Sequence, residues 1–214
     1  MLDWISQNAT LVTATAQIVT ASVWIVYLHI LVRSIQRGRK TNILITRVAG
    51  NADRAHLIVG NMGAEPIFVS GVFADIEIDG ETFEAVVGDN RIQSNREDAD
   101  PVLQATEGPL DRARYRDLGA MSDILRGALN FLGKSEQIDR ADCMTVTVVA
   151  ESSQDSMLAA GQQSFRVHRK GDKRIFLPIR TRTHQIRGRR DRRHLLDRLQ
   201  RRISMEADRV AGND

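Results

Sequence analysis

From Ala9 to Val32 the chain runs 24 residues without a charged side chain, and Arg33, Arg37, Arg39 and Lys40 follow at once. Few folds accommodate such a run. Taken as a helix, Thr10 to Val32 reaches about 35 Å, enough to cross a hydrocarbon core of about 30 Å with some tilt. Its eleven Leu, Ile and Val residues favour insertion by roughly 3 to 7 kcal/mol, opposed by Gln17, His29 and several Thr and Ser. A cleaved signal peptide would carry its positive charge before a shorter apolar region, whereas here the only early charge is Asp3 and the cations come after. The pattern therefore predicts one membrane anchor. The cations set its orientation, with a short N-terminus outside and about 175 residues in the cytoplasm.

Within this span Thr13, Ala16, Gln17, Thr20 and Trp24 fall on one helical face at steps of three and four residues. Small and hydrogen-bonding residues on such a stripe suit helix association in lipid, so a membrane-protein partner or a second copy of the chain is expected there. The competing reading is simple tolerance of a few polar groups. An ion pathway is disfavoured because no Asp, Glu, Lys or Arg lies inside the span.

Charge divides the remainder. Residues 166–202 hold 15 of the 30 Lys and Arg against Asp172, Asp191 and Asp197, a local balance of +12, while the other 177 residues sum to −9. The overall +3 thus hides a basic tail on an acidic body. The single Cys143 excludes an intramolecular disulfide and suits a reducing compartment.

After Lys40 the hydrophobic period changes from helical to two. Strands are expected over 41–48, 56–61, 68–78, 82–87, 143–150, 157–167 and 174–179, with Phe68, Val72, Ala74, Ile76 and Ile78 on one face of the third. Asp79-Gly80 suits a tight hairpin between the third and fourth. A long polar loop over 88–109 follows. A short helix is expected from a Ser122 cap to Gly133, with Ile124, Leu125, Ala128, Leu129 and Leu132 as its apolar stripe. Seven short strands with turn-rich links and one helix read as a mainly β, immunoglobulin-like sandwich over 41–182, with a small β-barrel as the alternative. The Cys…Trp…Cys framework of a true immunoglobulin domain is missing.

The segment Asn61-Met62-Gly63-Ala64-Glu65-Pro66-Ile67-Phe68 resembles the first hairpin of immunoglobulin-like modules appended to bacterial envelope proteins. With Trp24-Ile25-Val26-Tyr27-Leu28 and the basic stop Arg37-Gly38-Arg39-Lys40, the first 80 residues resemble a group of uncharacterised single-pass bacterial inner-membrane proteins. That resemblance implies a bacterial inner-membrane location and a cytoplasmic β domain. It transfers no catalytic residue.

Motifs for phosphate cradling, dinucleotide binding, zinc hydrolysis or a nucleophile elbow are absent from the sequence. His56, His168, His184 and His194 show no metal-ligand spacing, and His168 and His194 sit among arginines that disfavour a cation. Glu97, Asp98 and Asp100 lack the order and turn glycine of a calcium loop. No catalytic residue, metal or cofactor is expected.

The tail, 183–214, is the remaining candidate. Arg187, Arg189, Arg190, Arg192 and Arg193 form a dense run. Leu195, Leu196, Leu199, Ile203 and Val210 then recur at helical spacing with Arg198, Arg201 and Arg202 between them, predicting a basic amphipathic helix over 191–210. Three occupants suit it: its own domain or a partner protein, the anionic lipid of the adjacent bilayer, and nucleic acid, the last disfavoured because no aromatic side chains interleave the arginines. The reading that follows is a non-enzymatic, membrane-anchored scaffold or accessory subunit of a bacterial inner-membrane complex. The alternative is a cytoplasmic-face sensor or adaptor whose Arg-rich tail binds anionic lipid or nucleic acid.

Overall fold

The computed structural model describes residues 9–38, 41–48, 55–87, 106–152, 158–171 and 173–211. Trp4, Arg39, Lys40 and most of the expected 88–109 loop, with its Glu97, Asp98 and Asp100, lie outside the described residues. The chain forms two compact units, residues 1–40 and 41–214.

The first unit is helix α1, Ala9–Gly38. From Ala9 to Ser34 every side chain is exposed, and this stretch is long and apolar enough to cross a membrane. Four of its hydroxyls are bonded within the helix. Thr13, Thr15, Thr20 and Ser22 donate to the carbonyls of Ala9, Leu11, Ala16 and Ile18, each at 2.8 Å, which satisfies them inside the helix itself.

The second unit is mainly β, with ten strands among the described residues. A small antiparallel sheet has the order β1-β2-β6, from Ile43–Val48, His56–Asn61 and Tyr115–Ala120. A seven-stranded sheet is built on the path β10-β8-β7-β3-β4, from His184–Ile186, Ala159–Lys170, Ala141–Ser152, Ile67–Ile78 and Glu81–Val86. Two short strands complete it: β5 (Gly108–Leu110) pairs β3, and β9 (Lys173–Pro178) pairs β8. Alternation sets the core. Val72, Ala74, Ile76 and Ile78 of β3 and Met144, Val146, Val148 and Ala150 of β7 meet Ile43, Ile45, Leu57 and Val59 of the small sheet in one buried cluster. Helix α2, Met121–Phe131, joins that cluster through Met121, Ile124, Leu125, Ala128 and Leu129, which share a face at steps of three and four.

The β3–β4 hairpin forms at Asp79-Gly80, where both residues have positive φ (51° and 84°), as a two-residue primed turn requires. Other expectations need correction. Phe68 does not share a face with Val72. The β3–β7 register shifts between Val69 and Gly71, and this bulge exchanges the faces, so Ile67 and Val69 are buried and Phe68 is half exposed. Nor does Ser122 cap α2: the cap position is Ala120, without a side-chain bond, and Ser122 lies inside the first turn. Three strands were not expected: β5, β6 and β10. The last falls within the segment read as a helical tail.

β10 has a structural role out of proportion to its three residues. The outer edge of β1 is closed by side chains rather than by a strand. Gln185 accepts from the Ile43 amide (3.1 Å) and donates to its carbonyl (2.6 Å), while Thr183 accepts from the Ile45 amide (2.8 Å). Gly161 of β8 lets this edge come close, since a Cβ there would lie 3.1 Å from Ile43 and Thr183 side-chain atoms. Asn61, fully buried at the end of β2, fixes the turn that follows. Its amide donates to the Glu65 and Leu110 carbonyls, and its oxygen accepts from Gly63 N–H.

Candidate functional site

The C-terminal helix α3, Arg189–Ala211, lies on the face of the seven-stranded sheet that points away from the core. Leu195 packs there with Phe73, Val149 and Ala160, flanked by Val86, Leu158, Ile186 and Leu199. The contact residues Leu195, Arg198, Leu199 and Arg202 are spaced three and four apart, so one helical stripe makes most of the contact. A glycine is needed beneath it: a Cβ on Gly71 would stand 2.8 Å from Leu199 Cδ2.

Arg198 is the polar centre of this contact and is only 7% exposed. Its guanidinium donates two bonds to Asp75, at 2.5 and 3.2 Å, approaches Glu84 at 3.5 Å and lies over the Phe73 ring, 4.4 Å from its centroid. A planar fork suits that combination, gripping a carboxylate edge-on while its face rests on an aromatic ring. Burial pushes the Asp75 carboxyl above its ordinary value, outweighing the lowering by the Arg198 bonds and charge. The pair therefore positions the helix more than it stabilises the fold. Arg201 reaches Glu84 at 3.6 Å, and Arg202 pairs with Glu107.

The eight arginines of the tail thus divide three ways. Arg198, Arg201 and Arg202 contact acidic groups of their own domain. Arg187, Arg189, Arg190 and Arg193 are exposed, with no ion pair among the described residues. Arg192 is half-buried, with its Nε enclosed and unpaired. The same exposure belongs to Arg180 and Arg182, which precede the expected tail of 183–214.

On α1 the stripe Thr13, Ala16, Gln17, Thr20 and Trp24 is wholly exposed. Thr13 and Thr20 already bond within the helix, and Trp24 meets Tyr27 edge to face at 6.0 Å. The Gln17 amide has no hydrogen-bond partner among the described residues.

A further surface emerges only in the fold. The outward face of the small sheet carries Leu44, Val48 and Tyr115, exposed at 38, 50 and 74%. Leu44, Gly60 and Tyr115 lie in one row across the three strands, so the apolar groups flank a position with no side chain. His56 bonds Asp117 at 2.6 Å beside them. Alternation within 41–48 could have flagged Leu44 and Val48, but the polar sequence of β6 hid Tyr115.

Among the described residues no group of His, Cys, Asp and Glu could hold a metal ion. A shallow groove runs beside α3, lined by Phe73, Glu84, Val86, Phe131, Arg198 and Arg201 among others. Cys143 is half-buried and its thiol is raised by that burial, which favours the unreactive protonated form. No family model, curated protein or solved structure matches the chain.

Proposed function

We propose that the protein is a non-enzymatic scaffold or accessory subunit, anchored in a bacterial inner membrane by α1 with its N-terminus outside and its β unit in the cytoplasm. The outward face of the small sheet carries this reading. Both faces of the seven-stranded sheet are engaged within the chain, one by the core and one by α3, whereas Leu44, Val48 and Tyr115 stand in the open. Exposed aliphatic and tyrosine side chains on a rigid sheet are what protein partners bury. The basic residues directly after the span support the orientation. Strand order supports an immunoglobulin-like assignment: β1, β2 and β6 follow the order of strands A, B and E, and β4, β3, β7 and β8 that of C′, C, F and G.

The test is photo-crosslinking in living cells from a reactive amino acid at Tyr115 or Val48, in the full chain. A discrete protein adduct from both positions, lost on Leu44→Asp, is expected. Adducts to lipid only, or none, would overturn the scaffold reading.

A further inference from the structure

The acidic partners of the C-terminal arginines are distributed unevenly. Where α3 lies on the sheet, each cation has a carboxylate: Arg198 has Asp75 and Glu84, Arg201 has Glu84, and Arg202 has Glu107. Only a turn or two earlier the pattern reverses. Arg180, Arg182, Arg187, Arg189, Arg190 and Arg193 are all exposed, and none has an ion pair among the described residues. They fall within fourteen consecutive residues.

The fold gathers that stretch at one edge of β8. Ile179 N–H bonds the Ser164 carbonyl at 2.9 Å, and His184 pairs with Gln162. The loop bearing Arg180 and Arg182 is therefore pinned at both ends within three residues of one strand. β10 then leads through Gly188 into the first turn of α3, where the Arg192 amide bonds the Gly188 carbonyl at 3.0 Å. Six like charges so gathered repel one another, and those in the first turn, countered there by Asp191 alone, also oppose the positive end of the helix dipole. A polyanion would relieve both.

We propose that this cluster is a contact site for the phosphate headgroups of anionic lipid. It rests on the membrane-anchored reading above. Exposed Ile179 and Leu196 (50 and 45%) flank the cations with the apolar groups that an interface accepts. No Phe, Tyr or Trp lies between 177 and 214 to stack on bases. Leu195 and Leu199 are occupied by the sheet, so the contact is electrostatic and shallow rather than an insertion of the helix. Its signature is dependence on anionic lipid and on ionic strength.

The full chain is reconstituted in vesicles of phosphatidylcholine alone and of phosphatidylcholine with phosphatidylglycerol, and amide exchange is followed over 179–194. Exchange slowed about tenfold in the anionic vesicles is expected. That protection should disappear in half-molar salt and in a variant with the six arginines replaced by Gln, while exchange in β7 is unchanged. Equal exchange in both vesicles overturns the proposal, as does protection by an added oligonucleotide but not by phosphatidylglycerol. Extraction of the protein from neutral vesicles by alkaline carbonate would instead overturn the anchor, a separate readout from the exchange difference between lipids.

Discussion

Two helices cover the seven-stranded sheet from opposite sides, and they do so by different physics. α2 delivers five apolar side chains into the main core. α3 delivers Leu195 and part of Leu199, and takes the rest of its contact from arginines over carboxylates and a phenyl ring. Hydrophobic burial is indifferent to partner geometry and hard to reverse, whereas a buried ion pair repays its desolvation only in one arrangement. The difference teaches that α2 belongs to the folding unit, while α3 is a positioned element that can be loosened without unfolding the sheet.

The largest effect should come from α2. Leu129→Ala is expected to lower the stability of the β unit by about 2–5 kcal/mol, read by denaturant titration of the full chain in detergent. Arg198→Ala should cost up to about 3–5 kcal/mol at the contact, because it leaves Asp75 buried without its partner. Its loss is local: amide exchange over 189–204 should accelerate while β7 stays protected, and concerted loss of both would erase the contrast between the helices. Gly71→Ala, which pushes a methyl against Leu199, should weaken the same contact by about 1 kcal/mol and leave the unfolding midpoint of the sheet nearly unchanged.

Asp75→Asn sharpens the comparison through pH. The carboxyl titrates near 3.8 when unexposed to the fold and higher within it, so the folded state holds the extra proton between those values. Wild-type stability relative to the Asn variant should then fall as pH rises from about 4 through the raised folded value. The opposite slope would mean that Arg198, not burial, dominates the site. Smallest of all, Arg201→Gln should change stability by less than about 0.5 kcal/mol, since its pair with Glu84 is mostly exposed.

Much of this architecture could be read from the chain. The alternation in β3 and β7, the Asp79-Gly80 turn and the stripe of α2 are local signals, and local signals survive into the fold. What escaped depends on distant or broken patterns. The bulge at Ser70 reverses the faces of β3 without a marker beyond Gly71. β5, β6 and β10 are too short or too polar for alternation to reveal. The sharpest case is Arg198, which reads as one more solvated cation until the fold brings it to Asp75, 123 residues away. Its place between Leu195 and Leu199 on the apolar stripe, and the position of Asp75 on a strand face that also carries Phe73, were the available hints. The face formed by Leu44, Val48 and Tyr115 needed the strand pairing itself.

The side-chain closure of β1 sets an order of events in the making of the protein. β1 is synthesised before every other described strand, yet the group that seals its edge, Gln185, lies 142 residues later. At ribosomal rates of about 5–20 residues per second, that edge waits roughly seven to thirty seconds for its cover. Throughout that interval a growing chain presents an open strand capable of pairing with its neighbours on the same message. Arrival of Thr183 and Gln185 is therefore the step that covers this edge, and a chain cut before Thr183 would keep that strand exposed permanently.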